Sequence, residues 1–179
     1  MRGIAGTGRE FECLRCGRCC TDLLAEDMGA LRGMTLLPDE RDLFPESVVS
    51  PAVGLGRGPH EGGFQIIAYQ LMENTCPHIG ENGYNIYADR PASCRQYPFF
   101  LGRGTDGSEL IGLDLNCPSL VAMVEDDPRP RLRFEARPHA ERLHNAEREA
   151  SRNPDKAWFF DLKRMKWIQY RDLSKGRTR

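Results

Sequence analysis

Three features predict an α+β fold: short β-prone runs before residue 116, helical periodicity after Pro138, and four cysteines, Cys13, Cys16, Cys19 and Cys20, crowded near the start of the chain. With 179 residues, 40% of them hydrophobic and 28% charged, the chain can form one domain with its own core and is too short for two full ones. Thiols at that density belong to a metal site. The expected architecture is therefore a small metal-centred domain with short β-strands and a hairpin, long loops, and helices at the C-terminal end.

Residues 22–32 mix leucines and acids at roughly helical spacing and predict a short helix. Residues 37–44 predict another helical start, because Pro38 sits early, Asp39 and Glu40 favour a helix N-terminus, and Pro45 stops it. The glycine- and proline-rich residues 50–63 predict a loop, and Phe64, Ile66, Ile67 and Tyr69 predict a strand over 64–72. Further strands are expected at 84–87, 109–115 and 131–135. Asp106-Gly107 suits a turn that joins 99–101 to the 109–115 strand as a hairpin.

From Pro138 onward, Ala140, Leu143, Ala146 and Ala150 lie on one side of a helix that Asn153-Pro154 ends. A second helix is expected after Asp155, with Trp158, Phe159, Leu162, Met165 and Ile168 as a core-facing stripe at three- and four-residue steps. Residues 175–179 should fray.

Charge divides the chain after Pro128: residues 1–128 hold 10 Lys/Arg and 19 Asp/Glu, and residues 129–179 hold 15 and 7. That division predicts a cysteine-cluster metal-binding domain over 1–128 and a basic helical C-terminal extension over 129–179 packed on it. The extension is expected to lie against its own acidic domain; nucleic acid is a less favoured partner than a redox or protein partner. No window is apolar enough to span a membrane, and residues 1–12 lack the apolar core of a secretory signal, so a cytoplasmic protein is expected. In that reducing compartment, an odd count of seven cysteines reads as thiolates rather than disulfides.

Cys13, Cys16 and Cys19 form a Cys-x-x-Cys-x-x-Cys run, the spacing that places three thiolates at three corners of a four-iron cluster; zinc rarely needs three in one loop. Gly17 suits a backbone that passes close to sulfur or adopts positive φ. Cys20 is next to Cys19, and adjacent side chains diverge, so it serves a second site or stays free. Cys76 and Cys117 each precede a proline and Cys94 lies among arginines, which makes all three candidate ligands. Among the histidines, His60, His78, His139 and His144, none is assigned as a ligand.

The segment from Phe11 through Cys20, together with the run Ile86-Tyr87-Ala88-Asp89-Arg90-Pro91-Ala92-Ser93-Cys94-Arg95-Gln96-Tyr97-Pro98-Phe99, Cys76 and Cys117-Pro118, resembles the YkgJ-like, or CxxCxxCC, cysteine-cluster family. The resemblance covers about residues 11–118. It implies a cytoplasmic protein that chelates zinc or iron, with no general reaction attached, and one branch of the family is similar to flagellin lysine N-methylases. Tyr84 stands where the family usually has a further cysteine, so seven thiols leave either one site with spares or a second site with an open corner.

Three functions compete. The preferred one is an iron–sulfur protein, with a 4Fe–4S cluster favoured and zinc as the alternative. Its site is Cys13, Cys16 and Cys19 with a fourth thiol from Cys76, Cys94 or Cys117, and electron transfer is tuned by Arg90 and Arg95. The second is an enzyme, methylase-like or redox, with Tyr84, Tyr87 or Tyr97 beside the reacting atom; its catalytic residues are not legible, and Gly54-x-Gly56-x-Gly58 lacks the strand-to-helix setting of a nucleotide loop. The third is a structural zinc module whose Trp158, Phe159, Phe160, Trp167 and Tyr170 interleave with Lys163, Arg164, Lys166 and Arg171 to contact nucleic acid or protein.

Overall fold

A computed structural model describes residues 9–80, 83–104, 106–126, 132–133 and 136–174. The expected frayed end at 175–179 and positions 131, 134 and 135 of the expected fourth strand lie outside these residues. In chain order the strands are β1 (Arg9–Glu10), β2 (Ala25–Asp27), β3 (Ala30–Arg32), β4 (Thr35–Leu36), β5 (Val49–Leu55), β6 (Gln65–Leu71), β7 (Ile79–Gly80), β8 (Gly83–Tyr84), β9 (Phe99–Arg103), β10 (Glu109–Leu113), β11 (Leu132–Arg133), β12 (Ala157–Asp161) and β13 (Lys166–Gln169). The α-helices are α1 (Ala92–Gln96), α2 (Pro118–Asp126), α3 (Arg137–Arg152) and α4 (Tyr170–Ser174), and 3-10 turns occur at Arg18–Cys20, Pro38–Leu43, Glu46–Val48 and Tyr87–Asp89. The mixture is the small α+β fold that the sequence predicts. None of the helices among the described residues is long and apolar enough to cross a membrane.

An antiparallel sheet in the order β13-β12-β5-β6-β4 is the frame. Ala52, Val53, Ala68, Ala157 and Phe159 form its core with Ala30, Ala150 of α3 and Leu173 of α4. Two buried polar side chains tie the strands together. Gln70 donates to the carbonyls of Pro51 (2.8 Å) and Phe160 (3.0 Å) and accepts from Gly33 N–H (3.0 Å), so one amide links three segments of the chain. Asp161, with no solvent exposure, accepts from the amides of Leu31 and Lys163 (both 3.0 Å) and from Arg164 (2.7 Å). Burial alone pushes its carboxyl up, but these donors together hold it below the ordinary carboxylate range.

The expected helix over 158–168 is instead the hairpin β12–β13, with Phe159 paired to Ile168 and Phe160 to Trp167. Burial along β12 alternates strictly, and the three- and four-residue steps of the apolar stripe arise because a turn braced by Asp161 separates the strands. Residues 129–179 thus contribute two of the five strands rather than a wholly helical extension. Their arginines and lysines also pair with acids of the first 128 residues: Arg142 with Asp39 (2.7 Å), Lys163 with Glu26 (3.4 Å) and Arg137 with Glu109.

Of the glycine-rich loop expected over 50–63, residues 50–55 belong instead to β5, and 56–63 form the expected turns and loop. Pro51 is tolerated in β5 beside register shifts at Pro51/Val53 and Val53/Gly54. Gly54 lies under the Phe64 ring, where a Cβ would come within 2.2 Å of Phe64 Cζ. The short helix expected over 22–32 is the hairpin β2–β3. Only the start of the 84–87 strand forms, as β8, before the turn at Tyr87–Asp89. The other expected elements form: a 3-10 turn at Pro38–Leu43, β6, the β9–β10 hairpin and α3. α1 and α2 are additional.

Candidate metal centre

Few regular elements hold the cysteine loop; it is shaped by local backbone geometry. Arg15 and Gly17 have φ of +54° and +75°; the left-handed φ favours glycine at 17, where a Cβ would also come within 2.7 Å of Ile79 Cδ1 and push that methyl aside. The close neighbour is Ile79 rather than the sulfur expected from sequence. Arg15 N–H donates to Cys13 Sγ at 3.4 Å, and Leu14 N–H donates to Ser119 Oγ at 3.3 Å, which ties the loop to α2. The amide of Cys20 then closes the 3-10 turn on Gly17 O at 2.9 Å.

Cys19 and Cys20 point into different surroundings. Cys20 is buried with Leu36, Phe44, Leu71 and Cys76, and Cys76 N–H donates to Cys20 O at 2.8 Å. A hydrogen bond from the Cys20 thiol, aided by the positive charge of Arg90, lowers the Cys19 thiol to about 7 despite burial. The same bond, together with burial, pushes Cys20 far up, so Cys20 is the neutral donor of the pair.

Scaffold elements deliver the later thiols. Glu40, itself buried, accepts from Ala92 N–H (2.8 Å) and Leu37 N–H (2.9 Å), and Ala92 packs on Leu143 of α3, so α1 is fixed from two sides. It carries Cys94, whose thiol donates to Met34 Sδ at 3.6 Å. Cys117 immediately precedes α2; burial pushes its thiol up while the amides of Leu120 and Ser119 draw it back. Tyr97 is likewise pushed up, by burial, then by Asp114 and the neighbouring thiols, and stays a phenol.

Cys13, Cys16, Cys19, Cys20, Cys94 and Cys117 line a single cavity of about 40 Å³ together with Phe11, Tyr87, Tyr97 and Ser119. Cys76 is not in its lining but lies behind Cys20. All seven cysteines are free thiols. Two guanidiniums cover Tyr87 at the rim: Arg15 at 4.1 Å and Arg90 at 3.7 Å from the ring centroid. Arg95 turns back to the carbonyls of Arg90 (2.6 Å) and Ala88 and braces the turn before α1. The donor chemistry fits a thiophilic ion: soft sulfurs from three stretches of chain, with amide donors beside Cys13 and Cys117. Among the described residues, however, no three Cys, His, Asp or Glu side chains already stand as a finished set of ligands.

The structure thus places six of the seven candidate cysteines around one cavity and leaves Cys76 outside its lining. Sequence reasoning missed Ser119, Arg15 and the sulfur partner Met34. Ser119 carried a weak signal, since a Ser in the first turn after Cys117-Pro118 is placed to bond a passing backbone. Of the histidines, His78 Nε2 is 2.7 Å from Leu43 O, away from the cavity lining.

An α+β scaffold that carries a pocket walled by thiols defines a cysteine-cluster, metal-chelating domain. Residues 12–118 match the CxxCxxCC family, described as a "Putative zinc- or iron-chelating domain", and the chain belongs to it. No curated protein and no solved structure matches the chain significantly.

Proposed function

We propose that the protein holds an iron–sulfur cluster, a 4Fe–4S cluster in the favoured case, and passes electrons to a redox partner. The observation that carries this reading is the convergence of six thiols from residues 13–20, α1 and the start of α2 on one cavity. Cys13, Cys16 and Cys19 supply the three-thiol run, and Cys117, whose thiol feels the charge of Cys13, is the fourth ligand. A bound cluster would supply one-electron exchange. The chain's own residues position and tune it: Cys20 donates to Cys19, the Arg15 amide donates to Cys13, and Arg15 and Arg90 place positive charge at the rim. Exposed Cys16 and Leu14 put the rim within reach of a partner. The protein is expected to act in the cytoplasm, where its seven cysteines would stay reduced.

One observation favours zinc instead. A cavity of about 40 Å³ suits a single ion, whereas a cubane requires the loop to swing outward. Anaerobic purification followed by visible spectroscopy and iron, sulfide and zinc analysis separates the two. The cluster reading expects a brown protein with iron and acid-labile sulfide that dithionite bleaches; a colourless protein with stoichiometric zinc overturns it.

A further inference from the structure

A second cavity, of about 290 Å³, adjoins the thiol cavity and shares Arg18, Cys19 and Tyr97 with it. Its remaining wall comes from residues 21–23 and from Asp114 and Asn116. Unlike its neighbour it is lined mainly by polar groups, and three of these are charged: Arg18, Asp22 and Asp114. Among the described residues none of the three forms an ion pair. The carboxylates are engaged on one oxygen each: Asp22 Oδ1 accepts from Asn74 Nδ2 at 3.4 Å and Asp114 Oδ1 accepts from Asn116 N–H at 2.9 Å. Two half-used carboxylates and a guanidinium therefore share one small cavity without neutralising each other.

Each ligand class can be weighed against that wall. An inorganic anion would be repelled by two carboxylates. A hard divalent cation finds no suitable group of three ligands here among the described residues. A neutral polyol carries no charge to match either sign, which forfeits the strong, charge-assisted contacts. A ligand with one cationic and one anionic end satisfies both signs, and a cavity of this size admits only a small one.

We propose that this cavity is a separate binding site for a small zwitterion of the α-amino-acid type, its ammonium held by Asp22 and Asp114 and its carboxylate by Arg18. The shared Cys19 and Tyr97 place such a ligand next to the thiol cavity. The site rests on its own cavity and charges, with Arg18 and Cys19 held by the cysteine loop in its present position.

Amide chemical shifts of the full-length, zinc-loaded protein, titrated with glycine, ethanolamine and acetate, test it. Glycine is expected to shift the amides of residues 18–23 and 114–116 saturably, with a Kd of about 1 mM or below, the order that a few charge-assisted contacts provide. Ethanolamine should bind about tenfold more weakly and acetate not at all. Asp22→Asn with Asp114→Asn, and separately Arg18→Gln, should each weaken glycine binding about tenfold while zinc content is unchanged. If the double variant does not fold, Arg18→Gln and the ethanolamine comparison still decide. The proposal is overturned if glycine gives no saturable shift, if ethanolamine binds as tightly as glycine, or if the folded variants bind like the parent. A protein that binds glycine but takes up neither zinc nor iron would sink the metal reading and leave this one standing.

Discussion

In the five-stranded sheet, backbone pairs with backbone, Gln70 and Asp161 lock neighbouring segments, and alternate side chains bury against α3 and α4. Across the molecule, residues 11–20 have almost no ladder of their own: they turn at Arg15 and Gly17 in left-handed geometry and touch the scaffold through single contacts such as Leu14 to Ser119. The sheet is stabilised by burial and hydrogen bonds already present in the chain. The cysteine loop has less of both, with Cys20 its one buried residue among those described and a few single hydrogen bonds, so a bound ion that cross-links it to α2 is expected to order it further. A rigid frame with an adaptable, thiol-bearing edge is what the comparison teaches, and the difference can be broken at either side.

The largest effect should come from the ligands. Cys13→Ser, Cys16→Ser and Cys19→Ser combined should abolish metal retention. They should also speed amide exchange in residues 11–20 by about a hundredfold or more while amides of β5, β6 and β12 exchange as before. Equal acceleration in both regions would mean that the sheet, too, depends on the ion. On the scaffold side, Asp161→Ala removes a buried acceptor shared by three donors and should cost about 3 kcal/mol in denaturant unfolding, with metal stoichiometry unchanged.

Gly17→Ala should have a smaller, local effect of about 1–2 kcal/mol, because alanine is strained at φ +75° and must displace Ile79; it should appear as weaker metal affinity rather than a lower sheet stability. The smallest effect concerns pH. Burial, reinforced by Arg95 and Arg142 and opposed by Glu40, holds His139 below the ordinary histidine value, and its buried Nδ1 has no hydrogen-bond partner among the described residues. The unfolded chain therefore binds this proton more readily. Stability should be unaffected above about pH 7 and decline as pH falls through about 6.5, and His139→Leu should flatten that decline.

The elements legible in the sequence were those with one dominant period: α3 from its apolar side and β6 and the β9–β10 hairpin from their β-prone residues and turn. Elements were missed where a residue's usual meaning was overruled by a tertiary neighbour. Gly54 and Gly56 signal a loop until Phe64 is known to need their space, and Pro51 signals a break until a bulge accommodates it. Trp158 to Ile168 mimics a helical stripe because the turn after Asp161 places hairpin residues at helical steps; the acid at the head of Asp161-Leu162-Lys163-Arg164 was the available clue. Cysteine spacing in the first loop points to metal-chelating chemistry directly, in agreement with the family match, and the α+β class was legible beside it. What spacing could not reveal was the separation of Cys76 from the cavity or the tie between Leu14 and Ser119, because both depend on how distant segments pack.

Metal analysis of anaerobically purified protein, run beside the triple serine variant of Cys13, Cys16 and Cys19, addresses the account most directly. The parent should carry iron or zinc in stoichiometric amount, and the variant should carry neither while keeping the circular dichroism of an intact sheet. A parent that is empty of both metals, folded, and as well protected in residues 11–20 as in β6 would contradict it.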